Sequence, residues 1–276
     1  MRGRAHGARI AAVLCASAAL LTAGLAGTAT AAPAAHGNVV HIVKPKVRAN
    51  ANQSNNWYGY NQGTLEQGNK LFNSVQGDWI VPTATQHTSG QAADSSTWIG
   101  IGGGCVDANC LAGDNTLIQT GTEQDVDASG KASYSAWYEL IPAPSLSISN
   151  VAVSPGDHMS ATIKEVVAGS NVWSITLKNV TKGQTFTTTV PYSSTHATAE
   201  WIQETPLLIG TNPGLSDLPN LTTNPFSAAK TNGAPAALKS SEQIQLTDAN
   251  GKVIGVPSAP NSTADGFNLC SWATSC

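Results

Sequence analysis

The sequence predicts an all-β fold, a sandwich or a barrel, on two observations. Short runs that alternate in polarity or are rich in β-branched and aromatic residues recur along the chain, with Gly-, Pro- and Asn-rich breaks between them. Beyond about residue 25, no stretch sustains the 3.6-residue apolar spacing of an amphipathic helix.

In chain order, Arg2, Arg4 and Arg9 precede an apolar run from Ile10 to about Leu25, and small residues follow through Ala29-Thr30-Ala31-Ala32. This is the pattern of a secretory signal cleaved near Ala31 or Ala32, and the run is short for a membrane span. Residues 1–32 are therefore expected to be a signal peptide and the protein to be secreted and soluble. Residues 33–52, with Lys44, Lys46, Arg48 and no acid, read as a leader or short pro-segment. Residues 53–276 are expected to form one β-domain. Strand-like runs are Trp57–Gln62, Leu71–Val81, Thr97–Ile101, Thr116–Thr122, Ser133–Ile141, His158–Val167, Val172–Lys178, Thr185–Val190 and Thr198–Thr205. Turn signals at Ser89-Gly90, Ser129-Gly130, Pro155-Gly156-Asp157, Ala168-Gly169-Ser170 and Lys182-Gly183 punctuate them. Leu207–Asn224, rich in Pro, Gly and Asn, reads as a long loop, with shorter strands near Gln243–Leu246 and Lys252–Val256.

Six of the 14 Lys and Arg residues lie in residues 1–52, where no acid occurs. The rest of the chain carries 8 bases against 17 acids, a formal charge of −9. That argues against nucleic acid or an anionic membrane as partner. Outside the signal stand four cysteines, Cys105, Cys110, Cys270 and Cys276. In a secreted chain an even count points to disulfides; of the three possible pairings, the tight spacing favours Cys105–Cys110 and Cys270–Cys276. Without a CxxC pair, and with His87, His158 and His196 scattered, no metal site is expected.

HExxH and GxSxG are absent, and Gly100-Ile101-Gly102-Gly103-Gly104-Cys105 lacks the last glycine of a dinucleotide loop. The informative stretches are Leu117-Ile118-Gln119-Thr120-Gly121, Ala136-Trp137-Tyr138-Glu139 and Ala199-Glu200-Trp201-Ile202-Gln203-Glu204. Each sets an amide or a carboxylate among apolar residues, where burial is costly unless the group is paired or used. Strand side chains alternate between faces. With Ile118, Tyr138 and Trp201 turned inward, one register gathers Gln119, Trp137, Glu139 and Glu204 on the opposite face. On residues alone, such a face could be a peptidase cleft, a glycosidase site using Glu139 and Glu204, or a carbohydrate- or peptide-binding platform built on Trp137.

The order of Asn56-Trp57-Tyr58-Gly59, Val75-Gln76-Gly77-Asp78-Trp79-Ile80-Val81-Pro82, Thr97-Trp98-Ile99-Gly100-Ile101 and the three stretches above resembles the glutamic peptidases, peptidase family G1 or eqolisins. The resemblance implies a two-sheet antiparallel β-sandwich of the concanavalin A-like jelly-roll type. It implies an acid-active endopeptidase on polypeptide substrates without cofactor, and nothing in the sequence asks for more than a monomer. Glu204 would be general base then acid, Gln119 the oxyanion donor, and Trp137, Glu139, Glu123 and Trp57 the substrate-binding groups. A glutamate, with a pKa near ~4.3, suits a base at acidic pH. Two positions depart from the family pattern: Gly102 stands where an aspartate is common, and Glu123 where another aspartate is frequent.

Overall fold

The computed structural model describes residues 38–40, 52–209 and 213–276. The expected signal peptide, and the leader apart from the strand Asn38–Val40 and residue 52, lie outside the described residues. Thirteen strands carry the architecture: β1 Trp57–Gly63, β2 Ser74–Ile80, β3 Ser96–Gly102, β4 Leu117–Val126, β5 Ala132–Leu140, β6 His158–Glu165, β7 Val172–Asn179, β8 Gln184–Pro191, β9 Thr198–Glu204, β10 Asn224–Thr231, β11 Gln243–Thr247, β12 Val253–Pro257 and β13 Phe267–Ser271. The only helix among the described residues is the short 3-10 turn Ser240–Glu242.

The strands form two layers. One runs β11-β1-β9-β3-β4-β5, the other β8-β7-β6-β2-β10-β13-β12-β11, and all these neighbours are antiparallel. Strand β11 belongs to both. Gln243 and Ile244 pair with Tyr60 and Gly59, whereas Leu246 pairs with Gly255 after the chain turns towards β12.

Period-two alternation builds the core between the layers. Tyr58, Tyr60, Ile99, Ile101, Ile118, Tyr138 and Trp201 face Val75, Trp79, Met159, Ile163, Trp173, Ile175 and Leu177. Two indoles also bond across the layers: Trp201 Nε1 donates to Gln76 O at 2.8 Å, and Trp79 Nε1 to Thr122 Oγ1 at 3.1 Å. Burying an indole while satisfying its N–H is how tryptophan enters a core without penalty. Ile118, Tyr138 and Trp201 thus point inward as their parity predicts. This all-β, two-layer antiparallel sandwich agrees with the fold class expected from sequence.

The second half departs from expectation in detail. Leu207–Asn224 is not one loop; it holds the short strands Leu207–Ile209, Gly214–Leu215 and Asn220–Leu221, and Asn38–Val40 pairs with Leu207–Ile209. Strands β10 and β13 were not anticipated. In β10, Pro225 and a register shift between Ser227 and Lys230, where Ala228 takes φ 53°, interrupt the alternation that sequence reading relies on. Phe267–Ser271, as short as β11 and β12, carries only one full alternation, Phe267-Asn268-Leu269. Both expected disulfides, Cys105–Cys110 and Cys270–Cys276, are present.

Candidate active site

The outer face of the first layer is organised by register into three rows. The first places Asn61, Glu200, Gly100, Gln119 and Glu139 side by side across β1, β9, β3, β4 and β5. The second places Gly59, Ile202, Trp98, Gly121 and Trp137. The third places Trp57, Glu204, Ser96, Glu123 and Ser135. Gln119, Trp98 and Glu204 therefore lie on one diagonal, with the indole in the middle. Gly100 and Gly121 flank that indole. A Cβ on Gly100 would come within 2.9 Å of the Trp98 ring, so the missing side chain makes room for it, and one on Gly121 would meet Thr97 O at 2.2 Å and Trp98 Cβ at 2.5 Å, so the backbone of Trp98 can come close there.

Glu204 is fully buried and held by two donors. Trp98 Nε1 donates to Oε2 at 2.8 Å, and Asn56 Nδ2 donates to Oε1 at 3.4 Å. The Asn56 amide is oriented in turn, because its Oδ1 accepts from Ser54 Oγ at 2.9 Å. Gln119 is also buried. Its Nε2 donates to Glu139 Oε2 at 2.7 Å, which fixes which end of the amide faces the carboxylate and leaves Nε2 a second hydrogen. Gln119 Oε1 has no hydrogen-bond partner among the described residues, nor has the buried Nε1 of Trp57. In the third row, Ser96 Oγ donates to Glu123 Oε1 at 2.9 Å.

Around these polar groups the indoles of Trp57, Trp98 and Trp137 pack with Leu117, Ile141, Ile202 and Ile244 as a second apolar cluster, separate from the main core. Trp57 and Trp98 meet edge to face, with centroids 4.8 Å apart at 77°, a favoured aromatic geometry. Charges set in such an apolar surround are poorly screened, so hydrogen bonds to them are strengthened.

Gln119, Trp137, Glu139 and Glu204 fall on this face, the four that one register gathers, and Glu123 and Trp57, named through the resemblance, fall on it too. They are buried rather than solvated (Gln119, Glu139 and Glu204 at 0 % exposure), which distinguishes them from ordinary outward strand residues. Trp98 and Asn56 stand in the motifs that carry the resemblance but receive no role there, and Ser96 is not singled out. A signal for Trp98 existed: Ile99 and Ile101 turn inward, so parity alone sends Trp98 outward. Asn56 precedes its strand, where parity gives no guidance.

The departure at Gly102 has a backbone cause. Its φ is +99°, and a Cβ there would lie 1.9 Å from Thr116 O, so no side chain fits. The Cys105–Cys110 loop follows directly.

Residues 55–264 match the model of the Peptidase A4 family. The chain is 27 % identical over 189 residues to aspergillopepsin-2 of Aspergillus niger, covering 61 % of this chain and 62 % of that protein. It is 34 % identical over 115 residues to scytalidopepsin B of Scytalidium lignicola, covering 41 % of this chain and 37 % of that protein. The chain thus spans less than two thirds of the length of either relative. A crystal structure of scytalido-glutamic peptidase with a transition state analog inhibitor superposes with a TM-score of 0.58 at 20 % identity, over 79 % of this chain and 98 % of that one. The crystal structure of aspergilloglutamic peptidase from Aspergillus niger gives 0.51 at 24 %, over 65 % and 99 %. These two likenesses bear on the fold and agree with the sandwich described above. Since the matched segment takes in every strand from β1 to β12 and all three rows of the outer face, the chain belongs to the Peptidase A4 family.

Proposed function

We propose that the protein is a secreted, acid-active endopeptidase that hydrolyses polypeptides with Glu204 and Gln119. The observation that carries this reading is the diagonal across Trp98: a donor-held carboxylate on one side and an oriented amide on the other, both in a buried apolar surround. Family membership agrees with it.

In this reading a water molecule sits between the two groups. Glu204 removes its proton as the oxygen attacks the peptide carbonyl carbon, forming the new C–O bond. The carbonyl oxygen becomes an oxyanion, and the second Nε2–H of Gln119 donates to it. Glu204 then returns the proton to the peptide nitrogen as the C–N bond breaks. The partnerless Gln119 Oε1 and Trp57 Nε1 are an acceptor and a donor left for substrate or water, since buried polar groups normally have partners. Trp137 and Glu123 border the same diagonal and would line the substrate's path.

The test is proteolysis of a denatured protein across pH 2 to 7 by the wild type beside Glu204→Gln and Gln119→Ala. Cleavage in acid by the wild type, lost in the first variant and reduced about a hundredfold or more in the second, is expected; one lost oxyanion donor typically costs ~3 kcal/mol. Undiminished cleavage by folded Glu204→Gln would overturn the assignment.

A further inference from the structure

Glu200 is the acid of the first row that the proposed chemistry leaves unused. It is fully buried, and beyond the Thr198 hydroxyl of its own strand no donor among the described residues approaches either carboxyl oxygen. Its register partner on β1 is Asn61, whose Oδ1 is also buried without a donor. These oxygens are neighbours across one small gap: a Cβ placed on Gly104 would be 1.6 Å from Asn61 Oδ1 and 2.6 Å from Glu200 Oε1. The Asn61 amide cannot turn over to relieve the contact, because its Nδ2 donates to Cys105 O at 2.9 Å. Two acceptors facing each other in a dry site repel if the carboxyl is ionised. A single proton on the carboxyl converts the same geometry into a hydrogen bond.

We propose that Glu200 is kept as a neutral carboxylic acid whose O–H donates to Asn61 Oδ1, so that Glu200, Asn61 and Cys105 O form a proton-dependent brace clamping the Cys105–Cys110 loop onto the row that carries Gln119. The brace closes when the carboxyl gains its proton and opens when the proton leaves to solvent.

The surroundings agree. Burial pushes the Glu200 carboxyl well above the ordinary carboxylate range; the Thr198 hydroxyl on its own strand pulls the other way, and the Asp114 carboxylate pushes further up. Asp114, from the turn before β4, is the charged group facing it, held by Thr116 N at 2.9 Å and by the Thr195 hydroxyl. Strand β1 offers Asn61, the loop offers Gly104 and Cys105, and Cys105 is locked in a disulfide. Along the row beyond Gly100 come Gln119 and then Glu139, the latter already engaged by the amide. No cation faces Glu200 from these elements.

The sign follows from linkage. A folded-state pKa raised above the unfolded one means the native state holds a proton that the unfolded state has released. The stabilisation is therefore complete below the ordinary carboxylate value of 4.5 and is lost as pH rises above it towards the folded-state pKa. Each pH unit in that window lowers the folded-to-unfolded ratio about tenfold through this one group.

The experiment is urea unfolding of the whole secreted protein between pH 4.5 and 7.5, wild type against Glu200→Gln and Glu200→Met. Glutamine can still donate to Asn61 Oδ1 and cannot titrate; methionine matches the length and removes donor and charge together. In either variant the unfolding constant should rise with pH less steeply than in the wild type, by about tenfold per unit. Parallel pH dependences would overturn the proposal, whether or not the protein cleaves peptides. Should neither variant fold, the wild type labelled with ¹³C at the glutamate carboxyls answers directly, read beside Asn61→Leu. A glutamate carboxyl that stays neutral above the ordinary carboxylate range and whose signal moves in Asn61→Leu supports the brace, and its absence or immobility overturns it.

Discussion

Gln119 and Glu139 stand directly opposite each other on β4 and β5, and the amide Nε2 donates to the carboxylate at 2.7 Å. A primary amide is nearly symmetric in shape, so something must decide which end faces the proposed reacting centre; here the acceptor oxygen of Glu139 decides. Glu139→Gln retains an acceptor oxygen but loses the charge assistance, which roughly doubles such a bond. A drop in kcat of about tenfold is expected for Glu139→Gln, and a larger one for Glu139→Ala, in steady-state assays on folded protein. Wild-type kcat in Glu139→Ala would show that the amide is oriented by something else.

Trp98→Phe separates the two jobs of that indole. The phenyl ring still fills the space over Gly100, but Glu204 Oε2 loses the donor now at 2.8 Å. Hydrogen bonds to charged groups are worth about 1.5–3 kcal/mol, so kcat/KM should fall by about 10- to 100-fold while the circular dichroism spectrum stays native. Trp98→Ala, which also opens a cavity in the second apolar cluster, should lower Tm far more than Trp98→Phe.

Gly102 tempts a restoration of the family's usual aspartate. The backbone forbids it: φ is +99° and the new Cβ would strike Thr116 O. Left-handed strain and a backbone clash together should cost about 3 kcal/mol or more, a Tm fall of about 6–12 °C for a domain of this size. Thermal unfolding of Gly102→Asp checks this; a Tm equal to wild type would mean the loop before Cys105 is freer than its geometry here.

What the sequence revealed, and what it hid, follows from how each residue is fixed. Gln119, Trp137, Glu139 and Glu204 were legible because each lies an odd number of residues from an inward partner (Ile118, Tyr138, Trp201), and a period of two leaves only one alternative face. Roles within that face came from resemblance, since parity treats Glu200 and Glu204 alike. Their environments differ only in three dimensions: Glu204 meets Trp98 and Asn56, whereas Glu200 meets the acceptor side of Asn61. Strand β10 was hidden because Pro225 and the irregularity at Ala228 erase the period locally, although Phe226 and Ala229 still reach the core. The constraint on Gly102 was hidden too, because it arises from Thr116, a neighbour across the sheet.

The Cys270–Cys276 bridge closes a small loop in which Trp272 stacks on His87 at 3.4 Å between ring centroids. On the loop-entropy model, replacing both cysteines by serine should cost about 2 kcal/mol, lowering Tm by about 4–8 °C. The bridge lies in the second layer, away from the three rows, so kcat at 25 °C should not change. A fall in kcat without a fall in Tm would contradict this division.

The acid limit of stability should be set in part at the β6–β7 end of the second layer. Asp157 is buried there, which alone would raise its pKa. Lys182 Nζ, Asn179 Nδ2 and Ser154 N each donate to it at 2.7 Å, and together they outweigh burial and hold it below its ordinary 3.8. Glu165 is likewise held low against burial, by the amides of Gly169 and Asn171 and by His196. For a depressed carboxylate the stabilisation is present above the unfolded pKa and is lost as pH falls through the folded one. Asp157→Asn should therefore be less stable than wild type at pH 5, by about 1–3 kcal/mol for a weakened charge-assisted network. Between pH 5 and pH 2 it should then lose less further stability than the wild type does. Urea unfolding at the two pH values reads both differences, and equal losses in the two proteins would show that Asp157 takes no part in the acid limit.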